Sequence, residues 1–142
     1  MKIGVVSDEL YPVNVLVMDW LKQQGHEVVA FGALKSGNNE SWVKATVEAA
    51  EAVAKNIVDE GIFFCWSGTG SSIVANRFKA IRAALCTDAE TARAARIWNH
   101  ANVLVLSNRL LSQDVAKEIL SAWFTDYDKS QGLLQVKELA LV

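Results

Sequence analysis

The most chemically capable stretch of the sequence is FFCWSGTGSSIVANR, residues 63–77. Cys65 ends an apolar run, and Ser67, Gly68, Thr69, Gly70, Ser71 and Ser72 follow it as a turn leading into a helical pattern. Unpaired backbone N–H groups at a helix start attract anions, and the glycines at 68 and 70 let them approach closely. The same positive end favours the thiolate of Cys65 near neutral pH. The pattern is that of an activated sulfur beside an oxyanion cradle. Cysteine is also among the most buried residue types, and GTGSS is an ordinary strand-to-helix turn. From spacing alone both readings stand open.

Other chemistries find less support. No lysine follows the turn as a phosphate-binding P-loop requires, and no GxGxxG with a downstream acid occurs, so nucleotide binding is disfavoured. The net charge of -2 exerts no general pull on nucleic acid or acidic membranes. The two cysteines, Cys65 and Cys86, form no CxxC and stand apart from any His cluster, so free thiols and no metal site are expected. No apolar stretch approaches a bilayer span and MKIGVVSD does not read as a signal peptide, so a cytoplasmic location is expected.

The elements that must position Cys65 alternate regularly. KIGVVS (2–7), HEVVAFG (26–32), GIFFC (61–65), IRAALC (81–86) and NVLVLS (102–107) read as strands. The third is apolar throughout, as suits a strand buried on both faces. Helices are predicted over 11–24, from a cap at Asn39 or Ser41 through Asp59, over 71–78, over 89–98, and from Ser112 or Asp114 through Phe124. The 142 residues are expected to form one domain with a five-stranded parallel sheet between helical layers, a Rossmann-like α/β/α sandwich. In such a sheet Cys65 lies at the carboxyl rim, where ligands bind. The tail, 125–142, reads as an amphipathic helical end suited to packing on a partner subunit.

Residues 61–112, GIFFCWSGTGSSIVANRFKAIRAALCTDAETARAARIWNHANVLVLSNRLLS, resemble the central half of a sugar-phosphate isomerase family. That family contains ribose-5-phosphate isomerase B and the galactose-6-phosphate isomerase subunits. MKIGVVSDE and QGHEVVAFG resemble its first two strands, so the likeness runs over about residues 1–124. The resemblance implies an aldose–ketose isomerase without metal or organic cofactor, a homodimer or homotetramer with active sites between subunits. Cys65 then acts as the base that moves a proton between C1 and C2 through a cis-enediolate. Ser67 shuttles the hydroxyl proton, and the backbone of Gly68, Thr69, Gly70, Ser71 and Ser72 holds the developing oxyanion. Asp8 orients a sugar hydroxyl or helps open the ring, Asn99 lies at the reacting oxygens, and Arg109 contacts phosphate.

The sequence also departs from the family. Glu9 stands where relatives carry a histidine, and Trp98 replaces the ring-opening histidine while His100 lies two positions on. Trp42 takes a tyrosine position, and the tail offers only Lys129 and Lys137 where relatives clamp phosphate with arginines. The base and its anion loop persist while ring-opening and phosphate-binding groups are lost. A short sugar or sugar phosphate that exists as an open chain is the expected substrate. Two alternatives are a catalytically silent sugar-phosphate-binding homologue and the partner subunit of a heteromeric isomerase.

Several residues have plainer readings. Cys86, Trp20 and Trp123 are expected in the core, and His26 in a turn. Trp66 and Trp98 are expected to flank the pocket, where an indole can stack on a sugar face or pack at a subunit contact. Glu90, Arg93 and Arg96 read as a solvated, mutually paired helix face. Arg77 and Arg82 either add positive potential near the loop or are structural.

Overall fold

The computed structural model describes all 142 residues. Its sheet has five parallel strands: β1 Lys2–Ser7, β2 Glu27–Gly32, β3 Glu60–Cys65, β4 Ala83–Leu85 and β5 Val103–Ser107. They lie in the order β2-β1-β3-β5-β4, placing β3 at the centre. Alternation along these apolar strands supplies two cores, one on each face. Ile3, Val5, Ile62, Phe64, Leu104 and Leu106 pack on helices α1 (Pro12–Gln23), α5 (Ala89–Asn99) and α6 (Gln113–Phe124). Val6, Phe63, Val103 and Val105 pack on α3 (Trp42–Ala54) and α4 (Thr69–Ala75). This is the expected three-layer sandwich.

Capping fixes the helix starts. The Ser41 hydroxyl accepts from the Lys44 amide and the Ser112 hydroxyl from the Val115 amide, which settles both open choices. The long third helix stops at Ala54 rather than Asp59. Asn56 takes a left-handed φ of 56°, and the amides of Ile57 and Val58 both turn back to the Ala52 carbonyl. The helix after β3 runs over 69–75 instead of 71–78, and β4 keeps only three of the six residues expected. A single unforeseen turn, α2 Ala33–Ser36, sits between Gly32 and Gly37, both at positive φ. The tail forms α7, Leu133–Leu139.

Arg96 overturns the expectation of a solvated helix face. Only 9% exposed, it pairs with Glu60 at 2.8 Å, donates to the Trp123 and Ala101 carbonyls, and stacks on the Trp123 indole. It ties α5, β3 and α6 together below the sheet. Glu90 and Arg93 do pair on the surface.

Candidate active site

Chain direction creates the crevice. From β1 the chain leaves to α1 on one face, and from the adjacent β3 it leaves to α4 on the other. The gap beyond the carboxyl ends of β1 and β3 is a topological switch point, where open α/β sheets bind ligands. Asp8 and Cys65 stand there, each one residue past the register pair Ser7 and Phe64. Neighbouring strands lie about 4.8 Å apart, so the two residues face one narrow space.

Cys65 is 6% exposed, and its carbonyl accepts from the Asn108 amide at 2.9 Å. The next carbonyl, of Trp66, accepts from the Arg109 amide (3.1 Å) and the Ser107 hydroxyl (2.9 Å). The loop carrying Arg109 is thereby stitched to the loop carrying the thiol. Gly68 takes φ 81° as the N-cap of α4, and a Cβ there would meet Leu85 at 2.5 Å, so only glycine fits. The amides of Thr69, Gly70 and Ser71 have no acceptor within the chain, as expected of a helix's first turn.

One backbone member of the expected cradle is otherwise engaged. The Ser72 amide donates to the Gly68 carbonyl at 3.1 Å and is not available to a ligand. The Ser71 hydroxyl is buried, bonded to the Thr46 hydroxyl and the Phe64 carbonyl, so its side chain anchors α4 to α3 and β3. Ser67 and Thr69 share a hydrogen bond of 2.6 Å at the surface. The Trp42 indole lies across Gly70, 2.8 Å from where a Cβ would stand, which sets Trp42 of the same chain against the loop.

Asp8 is buried, and its Oδ1 has no hydrogen-bond partner. Burial pushes its carboxyl above the ordinary carboxylate value, and the neighbouring charge of Glu9 adds to the rise against opposing backbone hydrogen bonds. Glu9 in turn accepts from the Tyr11 phenol at 2.9 Å.

Trp98, Asn99 and His100 are elsewhere. They end α5, which runs from the carboxyl rim to the opposite edge and delivers the chain into β5. Val103 to Ser107 alone spans about 13 Å of strand, so one chain does not bring these three to Cys65. His100 caps α5 at φ 47° and donates through Nε2 to the Gln131 carbonyl at 2.6 Å. The Arg82 guanidinium holds the Asn99 and His100 carbonyls, so Arg82 serves this edge and not the anion loop.

Sequence reading missed the polar floor beneath the crevice. The Asn14 amide donates to Asn108 at 2.8 Å, and Asn108 donates to the Ser7 hydroxyl at 3.0 Å, with all three residues buried. A polar residue directly after an apolar strand, as in VVS and VLSN, is the available signal. Cys86 is a core residue as expected, its thiol pushed up to about 12 by burial. No helix is long and apolar enough to cross a membrane.

Comparison with known proteins gives this geometry a context. The family described as Ribose/Galactose Isomerase matches residues 3–139. A D-erythrulose-4-phosphate isomerase of Pectobacterium atrosepticum is 36% identical over 107 residues, 75% of this chain and 70% of that protein. Ribose-5-phosphate isomerase B of Escherichia coli is 37% identical over 103 residues, 72% of this chain and 68% of its own length. The solved structure of Clostridium thermocellum ribose-5-phosphate isomerase B superposes with a TM-score of 0.88 at 33% identity, covering 99% of this chain and 96% of that one. With sheet order, rim and sequence in agreement, the chain belongs to the ribose/galactose isomerase family of sugar-phosphate isomerases.

Proposed function

We propose that the protein interconverts the aldose and ketose forms of a short phosphorylated sugar by proton transfer through Cys65. The observation that carries this reading is the meeting of a thiol, unpaired amides and an unpartnered carboxyl oxygen at one switch point. As a thiolate, Cys65 takes the C2 proton of the open-chain aldehyde, and the electron pair moves through C1–C2 onto the carbonyl oxygen. The product is a cis-enediolate. Amides of Thr69 and Gly70 steady its charge, and the Ser67 hydroxyl, bonded to Thr69, moves a proton between O1 and O2. Cys65 then returns its proton to C1, giving the ketose with no net change in oxidation. Asp8, whose buried Oδ1 has no partner within the chain, bonds to a sugar hydroxyl.

Four-carbon sugar phosphates suit the losses at this site. A tetrose phosphorylated at O4 has no hydroxyl left to close a five-membered ring, so it needs no ring-opening histidine. The similarity to a D-erythrulose-4-phosphate isomerase supports the same class. Arg109 takes the phosphate, and Glu9 keeps it from the β1 side. A second copy supplies Trp98 and Asn99 to the rim of the first. The exposed Trp98 indole and the unbonded Asn99 side chain leave both free for that role, whereas His100 is tied to its own tail. The exposed leucines of the tail, Leu134, Leu139 and Leu141, face the same partner.

Incubation with erythrose, erythrulose, ribose and ribulose phosphates in deuterated water tests the reading. Deuterium entering C1 and C2 of the four-carbon pair is the expected result. Turnover confined to cyclic hexose phosphates removes the substrate class. Exchange surviving Cys65→Ala removes the mechanism.

A further inference from the structure

The crevice between the β1 and β3 loops is bridged by two aromatic rings. Tyr11, three residues past Asp8, meets Trp66, the residue after Cys65, with ring centroids 5.8 Å apart and planes inclined by 38°. Each ring comes from one of the two loops that carry the reacting groups. The contact therefore crosses the opening of the switch point itself.

The Tyr11 side chain and the Trp66 backbone are both held in place. The Tyr11 phenol donates to Glu9 Oε2 at 2.9 Å, and the Tyr11 amide donates to Asn14 Oδ1 at 2.8 Å. Asn14 continues through Asn108 to Ser7, the residue before Asp8. Trp66 is fixed at its carbonyl by Ser107 and Arg109. An aromatic ring has few rotatable bonds, so the tethered Tyr11 ring holds its place at little entropic cost. The side chain is broad and the tether is short.

We infer that Tyr11, oriented by Glu9 and backed by Trp66, is a specificity-determining residue that limits the length of sugar admitted to Cys65. The inference rests on the isomerase reading above and deepens it. Trp42 over Gly70 marks the opposite flank of the loop, so a substrate lies between two aromatic sides. A longer chain must displace the Tyr11 ring and break its bond to Glu9. A four-carbon chain need not.

Two measurements test this separately. Cys65 is alkylated with iodoacetamide and with pyrenyl-maleimide, and the ratio of rates is read by peptide mapping; Cys86, buried and thiol-protonated, serves as the unreactive control. Tyr11→Ala is expected to speed the bulky reagent relative to the small one by about tenfold, and Tyr11→Phe, which keeps the ring but loses its bond to Glu9, to raise the ratio by less than the alanine variant does. Tyr11→Leu retains apolar contact with the core and gives the same shift if the alanine variant does not fold. In kinetics, kcat/KM for ribose 5-phosphate over erythrose 4-phosphate is expected to rise about tenfold in Tyr11→Ala, mainly through KM for the longer sugar. Equal acceleration of both reagents, or none, overturns the inference. A wild-type protein that turns over neither sugar defeats the isomerase reading, while the alkylation ratio still decides the wall.

Discussion

Asp8 carries an ionisable carboxyl into a crevice where one of its oxygens meets no donor. Its folded-state pKa lies above the ordinary 3.8, with burial as the main cause. Between that value and the raised one the unfolded chain has released its proton and the native chain still holds it, so stability falls as pH rises through this window. Below the window the penalty vanishes. Asp8→Asn is expected to abolish isomerisation while stabilising the fold at neutral pH by about 1 kcal/mol. Urea midpoints at pH 4 and pH 7 check it: the variant's gain over the wild type should be larger at pH 7 than at pH 4. Cys65 and the glycine loop stand out by residue type at a strand end, whereas Ser67, Asp8 and Arg109 come from the family resemblance. The roles of Asn14 and Asn108 could not, since a buried amide is recognisable only once its partners, 94 residues apart, are in contact.

At the scale of elements, the turn after β3 depends on a glycine that no other residue replaces. Gly68 combines a left-handed φ with a Cβ position inside Leu85. Gly68→Ala is expected to destabilise by about 2 kcal/mol through strain and overpacking, and to lower kcat by disturbing the amides that follow. Thermal melts and steady-state kinetics of the variant measure both. The strands were legible because five short β-branched and apolar runs alternate with helical periodicity. Helix ends were less so. The apolar spacing of α3 continues through Ile57 and Val58, but Asn56 accepts a left-handed turn and the backbone folds back on Ala52. Arg96 misled for a related reason: its spacing matches a surface face, and only the fold places Glu60 beside it.

For the whole molecule, the length of the sheet separates Cys65 from Asn99. Each chain would offer its thiol at one rim and its amide at the other, so a two-fold pair can compose two complete sites. Mixing Cys65→Ala with Asn99→Ala protein under exchange conditions is expected to recover about a quarter of wild-type activity, though each alone is inactive. Activity that stays at the level of the separate variants would refute the shared site. No periodicity in the sequence reveals this separation, because it arises from the direction in which α5 crosses the sheet.

Gly132 sits where a single methyl would collide with the backbone carbonyls of Ile97 and Trp98, at a φ of 69° that already excludes most residues. The final helix is therefore clasped to α5 at a place too tight for any side chain, and the Gln131 carbonyl beside it accepts a hydrogen bond from His100 Nε2. Whatever loosens that clasp frees the final helix from the last turn of α5. Resistance of residues 125–132 to proteolytic trimming thus becomes a gauge of whether the far rim of the sheet is intact.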